Sequence, residues 1–250
     1  VRFSLTSGIP TAADNDPRVA SPQGIAVRFH LGDHVHTDII GHSANGFPVR
    51  TGEEFLELDR AVVASGPGAP APPPIEAFLA GHPAAKAFVE TPKPIPTSFA
   101  RQAYFAVTAF KFTSADGQSR FGRFRFHPDA GTEFLSAEQS GRKTTDFLEA
   151  ELSERLARGP VGFHVLVQLA EAGDVVTDAT AIWPESRRQV EFGSISITQR
   201  VDELDPERRK IIFDPVPRVD GIDASGDPLI AVRSDMYLAS GRRRRAAAKQ

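Results

Sequence analysis

Arg233 and Tyr237 stand four residues apart in the segment Arg233-Ser-Asp-Met-Tyr237, and Tyr237 is one of two tyrosines in the chain. On a helix this spacing puts a guanidinium and a phenol on one face, within reach of each other. A free phenol titrates near ~10, and a fixed cation beside it favours the phenolate. A phenolate is a hard, charged ligand for ferric iron, haem iron included. An Arg-x-x-x-Tyr pair also arises by chance on amphipathic helices, so the site has to be sought in the rest of the chain.

Other chemistries are poorly represented. His30, His34, His36 and His42 fall in one predicted hairpin, and His34 and His36 point the same way along a strand. A surface metal site is conceivable there, but no carboxylate or cysteine completes a familiar ligand spacing, and solvated hairpin histidines are the simpler reading. The seven histidines form no His-Glu-x-x-His pattern. Ser4 and Ser43 lack a Gly-x-Ser-x-Gly context, and no Gly-Lys-Ser/Thr follows Gly66-Pro-Gly68. Cysteine is absent, which excludes disulfides, thiol catalysis, Cys-ligated zinc and iron–sulfur clusters. A chain without thiols also suits work among peroxides. The run Arg242 to Arg245 sits on a chain of formal net charge −3, so no basic field points to nucleic acid. The run reads as a solvated helix end, favourable with the dipole, or as a clamp on an anion.

These groups must be positioned by a chain of 250 residues, 40% hydrophobic and 24% charged, enough for one large domain or two small ones. Its 18 Phe, against one Trp, suit a large apolar core or a cofactor pocket. No apolar run approaches the ~20 residues of a membrane span, and no signal peptide is visible. The chain opens without Met on Val1-Arg-Phe-Ser-Leu-Thr6, which alternates like the middle of a strand, so an amino-terminal part of the parent protein is expected to be missing.

Ile25–Leu31 and Thr37–Ile40 read as strands joined around Gly32-Asp33. Thr51 starts a helix, with Glu54 completing a capping box. Gly66 to Pro74 is a Pro/Ala linker, and Ile75 to Val89 is helical with a break around Pro83. Ala103–Phe112 and Arg120–His127 form the clearest hairpin, turned at Ala115-Asp-Gly117. In its second strand Phe124 and Phe126 alternate with Arg123 and Arg125, which predicts one buried and one solvated face. Leu135–Arg158 reads as one or two helices, Gly162–Leu169 and Val190–Ile197 as strands, and Pro228–Lys249 as a terminal helix. The pattern is α+β: an antiparallel sheet or barrel core with inserted and carboxy-terminal helices, in a single domain over residues 1–250.

Several segments, in order from Arg2 to Arg244, together resemble the catalase superfamily, and in particular the short bacterial catalase-related haem peroxidases. Val1-Arg-Phe-Ser4, Gly24-Ile-Ala-Val-Arg-Phe29 and Asn45-Gly-Phe-Pro-Val-Arg-Thr-Gly-Glu-Glu-Phe-Leu56 are similar to its distal segments. Phe213-Asp-Pro215, Gly221-Ile222, Asp227 and Arg233 to Tyr237 are similar to its proximal ones. The resemblance implies a catalase-like β-barrel holding haem b. It makes Tyr237 the axial iron ligand and Arg233 the residue that keeps it phenolate, which favours ferric iron and heterolysis of an O–O bond. Pro215 would pack beneath the haem, Phe47 and Phe55 would line the distal cavity, and Arg2 and Arg244 would pair with propionates. Ser4 would support a distal histidine that, in the family, lies upstream of this strand and so outside this chain.

The departures from the pattern matter as well. His42 stands where large catalases have a distal asparagine, and it could move a peroxide proton without being the principal base. Pro48 replaces a second phenylalanine, and Thr108 a histidine. Set against the family pattern, these changes imply a more open or differently tuned cavity than that of a dedicated catalase, with peroxidase action on organic hydroperoxides and/or hydrogen peroxide and a small-molecule electron donor. The alternatives are haem-dependent rearrangement of fatty-acid hydroperoxides, of the allene-oxide-forming type, and a haem-binding fragment without turnover. The resemblance further implies a monomer or homodimer, and leaves bacterial cytoplasm and periplasm both open.

Overall fold

The computed structural model describes residues 1–5, 12–17, 19–202, 205 and 210–247 of the chain. Three strands begin it: β1 (Arg2–Leu5), β2 (Gln23–Gly32) and β3 (Val35–His42). They pair antiparallel, with Ser4 opposite Gly24 and Gly24 opposite His42, and with Arg2 opposite Ala26 and Arg28 opposite Asp38. Because successive side chains alternate, this register sorts the ribbon into two faces. Phe3, Ile25, Val27 and Ile39 point into the main core. Arg2, Ser4, Arg28, Asp38 and His42 share the other face. The β2–β3 reversal falls at Asp33-His34, one residue later than Gly32-Asp33, and His34 takes a left-handed φ of 60° there.

Helix α1 (Gly52–Ala64) starts as its residue types dictate: the Thr51 hydroxyl accepts from Glu54 N–H. The Glu54 carboxylate reaches back one residue further than a capping box does, to Arg50 N–H at 2.8 Å. Helices α2 (Pro74–Gly81) and α3 (Pro83–Glu90) divide at Pro83 as expected. The predicted hairpin is split on one side into β4 (Tyr104–Phe105) and β5 (Phe110–Thr113), facing the continuous β6 (Ser119–Pro128). β4 pairs with β3 as well as β6, and β5 with β9 (Ile222–Ala224), so buried Ala106 to Ala109 must cross between two partners.

Helices α4 (Ala137–Gly141) and α5 (Phe147–Arg158) follow, then β7 (Val161–Leu169), β8 (Gln189–Ile197) and the terminal α6 (Pro228–Ala247). Ala248 and Lys249 of the expected helix, and Thr6 of the opening strand, lie outside the described residues. The nine strands of the described residues make one curled antiparallel sheet in the order β1-β2-β3-β4-β6-β5-β9, with β7 beside β6 and β8 beside β7. Among the described residues β1 and β8 do not pair with each other, so the barrel core is an open, half-closed one. None of the described helices is long and apolar enough to cross a membrane.

The expected solvated face of β6 does not exist. Arg123 and Arg125 are 1% and 2% exposed. Carbonyl oxygens compensate their burial: Arg123 donates to Ala181 O at 2.6 Å and to Asp178 O at 3.0 Å, and its guanidinium lies over the Trp183 ring. Arg125 donates to Gln168 Oε1 at 2.5 Å. Desolvation lowers both pKa values, to about 10 and about 9, which still leaves both side chains charged at neutral pH.

Candidate functional site

The polar face of β1–β3 lies against the segment that precedes α6. Asp38 accepts both arms of Arg28, at 2.8 and 2.7 Å, and the N–H of Asp214 at 2.8 Å. Arg28 also donates to Ile212 O at 2.5 Å. Between these anchors the buried Phe213 ring lies under two guanidiniums, Arg2 at 4.5 Å and Arg28 at 5.2 Å, with Pro215 buried two residues on. Burial alone would raise the pKa of Asp214, but hydrogen bonds from Val216 N–H, Arg218 and Ser234 hold it below the ordinary value. Ser234 belongs to α6, so one carboxylate ties the segment to the helix.

Helix α6 is capped by Asp227, which is 4% exposed and accepts from Leu229 N–H at 2.9 Å. Its other carboxylate oxygen is buried without a partner, and burial, then repulsion from Asp178, raises its pKa. One turn apart along α6 stand Arg233 and Tyr237, both half-buried. Among the described residues neither side chain takes a hydrogen-bond or ion-pair partner. The charge of Arg233 acts on His42 and Asp227; Arg2 feels Tyr237 and Arg244. Desolvation, then repulsion from Arg244, lowers the pKa of Arg2, and no described carboxylate pairs with it.

The remaining wall comes from the segment between β3 and α1. His42 ends β3, and its Nδ1 accepts from Ala44 N–H at 3.3 Å. The proton of the neutral ring therefore sits on Nε2, which is buried without a partner. Phe47 lies 6.1 Å from the His42 ring and 5.5 Å from Phe55, centroid to centroid. The Phe47 N–H donates to Ala179 O, and Arg50 pairs with Asp178 at 2.9 Å, so the loop held by Arg123 also holds this segment. Gly52 lets α1 approach α6 closely: a Cβ there would stand 2.8 Å from the Val232 side chain.

Burial, then the Arg233 charge, pushes the His42 pKa down to about 3. The sign follows from linkage. The unfolded chain binds a proton on this residue below about pH 6.5, whereas the folded chain binds it only near 3, so acid favours unfolding. His42→Asn is expected to flatten the fall in stability between these limits. At ~1.4 kcal/mol per unit the wild-type loss amounts to a few kcal/mol. Urea midpoints measured across that range check it, and identical slopes in both proteins would refute it.

The structure brings Arg2, His42, Phe47, Phe55, Pro215, Arg233, Tyr237 and Arg244 around one region. Ser4 shares the face of Arg2 and His42, across side-chain-free Gly24 from His42, but it is exposed on the edge strand. Arg28 and Asp38 escaped the sequence reading: counting outward from the Gly32–Val35 pair sets Arg28 opposite Ile39, and only the register shift between His30 and Gly32 brings it opposite Asp38. The hairpin histidines gather no metal set: among the described residues no three His, Cys, Asp or Glu side chains are placed to hold an ion.

A curled, half-closed antiparallel sheet with helices is the fold this chain shares with solved catalases. The structure superimposes on a fungal catalase with a TM-score of 0.84, at 20% identity over 98% of this chain and 51% of that one. It also superimposes on catalase A of Saccharomyces cerevisiae with a TM-score of 0.81, at 19% identity over 97% and 52%. The chain thus spans about half the length of these solved catalases. The catalase family model matches residues 1–250, and the chain belongs to that family. Among its relatives is the catalase-related peroxidase of Mycolicibacterium paratuberculosis, 35% identical over 96% of this chain and 75% of the relative. The catalase-related peroxidase of Synechococcus elongatus is 31% identical over 96% and 70%.

Proposed function

We propose that this chain is an oxidoreductase acting on peroxide, a haem-dependent peroxidase that reduces organic hydroperoxides and/or hydrogen peroxide, with Tyr237 as the iron ligand. The observation that carries this reading is the convergence of polar groups that have no hydrogen-bond or ion-pair partner among the described residues: the buried Nε2 of His42, the half-buried Arg233 and Tyr237 side chains, and the Arg2 guanidinium. A buried polar atom such as His42 Nε2 is normally satisfied within the fold, and together with two cations and a phenol it fits a ligand with both an iron centre and carboxylates. Bound haem would supply the iron at which the O–O bond is cleaved and the store for the two oxidising equivalents.

The roles of the chain's own residues follow from their chemistry. Tyr237 would hold the iron through its phenolic oxygen, with the Arg233 guanidinium one helical turn away on the same helix. Arg2, with Arg244 beside it, supplies cations for the propionate carboxylates. Pro215 and Phe213 form an apolar floor, and Phe47 and Phe55 exclude water from the opposite wall. His42 acts by donation. Its Nδ1 is already engaged, so the Nε2–H can orient a peroxide oxygen, and a pKa near 3 makes the ring a poor base. The overall conversion is ROOH plus two protons and two electrons to ROH and water, the electrons coming from a small organic donor.

Haem-reconstituted protein supplied with cumene hydroperoxide and an oxidisable phenol is expected to form the alcohol and oxidised phenol together. Little oxygen should evolve from hydrogen peroxide. Dominant oxygen evolution, or conversion of the hydroperoxide without donor oxidation, would contradict the peroxidase reading.

A further inference from the structure

A cavity of about 430 Å³ lies on the far side of the His42–Phe47 segment. It is lined by the segment Ser43 to Phe47 and by Phe88, Phe105 and Phe134. Such a volume suits a small organic ligand. Phe134 is 41% exposed and Ile182, also in the wall, 62%, so the apolar lining reaches the surface.

Among the described residues of this lining there is one formal charge, the ammonium of Lys93, and no carboxylate. Lys93 donates to Phe88 O and to Thr91 O, and its Nζ lies 4.4 Å from the centre of the Phe88 ring. These contacts close the end of α3, which is a structural role, but they use neutral carbonyls and leave the positive charge uncompensated. An ammonium has three protons, and the two carbonyls occupy two. Desolvation lowers the Lys93 pKa, a cost that an incoming anion would relieve.

We infer that this cavity docks the organic reactant, and that the reactant is an amphipathic anion: a carboxylate held by Lys93 with an apolar body against Phe88, Phe105 and Phe134. The inference rests on the peroxidase reading for its role, because Phe47 is common to the cavity and to the His42 site. Its binding test needs no turnover and stands apart from that reading.

Calorimetric titration with octanoate and with octylamine compares two probes of one chain length and opposite charge. Purified wild-type protein is expected to prefer octanoate by about tenfold, the size of one partly desolvated ion pair. Lys93→Met should erase the preference, and Lys93→Arg should keep it, which separates charge from loss of the helix cap. Ala87→Trp, a filler in the exposed part of the lining, should weaken both probes. In turnover, a KM rise in Lys93→Met confined to carboxylate-bearing hydroperoxides assigns the cavity to the oxidising substrate. One confined to carboxylate-bearing phenols assigns it to the donor. Equal affinity for the two probes in wild type, or octanoate binding unchanged in Lys93→Met, would overturn the inference.

Discussion

Tyr237→Phe is expected to weaken haem binding by at least about a hundredfold, the scale of losing a coordinating anion rather than an apolar contact, while the protein stays folded. The substitution deletes one hydroxyl from a half-buried helix position, and that hydroxyl has no protein partner among the described residues. Stability should therefore move by no more than ~0.5 kcal/mol. Haem titration followed at the Soret band, with a thermal melt of the haem-free protein, separates the two effects. A variant that unfolds would point to a packing role, and one that binds haem normally would remove Tyr237 from the iron.

Asp38→Ala is expected to have the largest effect on folding. The Asp38 side chain is fully buried, and it accepts from both Arg28 and the Asp214 backbone. Its loss leaves a largely buried guanidinium without a counter-charge, which typically costs ~3–5 kcal/mol. It also frees the Ile212–Pro215 segment from the sheet, so Phe213 and Pro215 lose their fixed position below Arg2. Urea unfolding should show the loss, and any haem retained by the variant should dissociate faster. Arg28→Met with Asp38→Leu, which removes both charges, should recover much of the stability but not the position of Asp214. A single Asp38→Ala variant as stable as wild type would show that the pair does not anchor the segment.

The elements that position the site were largely legible, for identifiable reasons. The 25–42 hairpin, the Thr51 cap, the break at Pro83 and the terminal helix each rest on local signals: alternation, a capping hydroxyl, a proline, helical spacing. Arg123 and Arg125 were misread because alternation reports which residues share a face, not what covers that face. The cover is the loop around Trp183, more than fifty residues away, whose carbonyl oxygens make burial of Arg123 tolerable, while the Gln168 side chain from β7 does the same for Arg125. Strand β9 left no local trace because three residues become a strand only through pairing with β5. The Arg233–Tyr237 pair was legible as a spacing, and its surroundings, Arg2 from β1 and His42 from β3, became linked to it through family resemblance rather than through any local pattern.

The most direct test of the tyrosinate assignment uses the scarcity of tyrosine. Tyr104 is fully buried, donates its hydroxyl to Phe99 O at 2.9 Å, and has its pKa pushed well up by burial, so it has no access to an iron ligand position. Resonance Raman spectra of the ferric haem complex, made with ring-deuterated tyrosine, should therefore report Tyr237 alone. The account predicts iron–phenolate modes that shift with deuteration and vanish in Tyr237→Phe. A haem complex without isotope-sensitive phenolate modes, or with modes that persist in that variant, would contradict it.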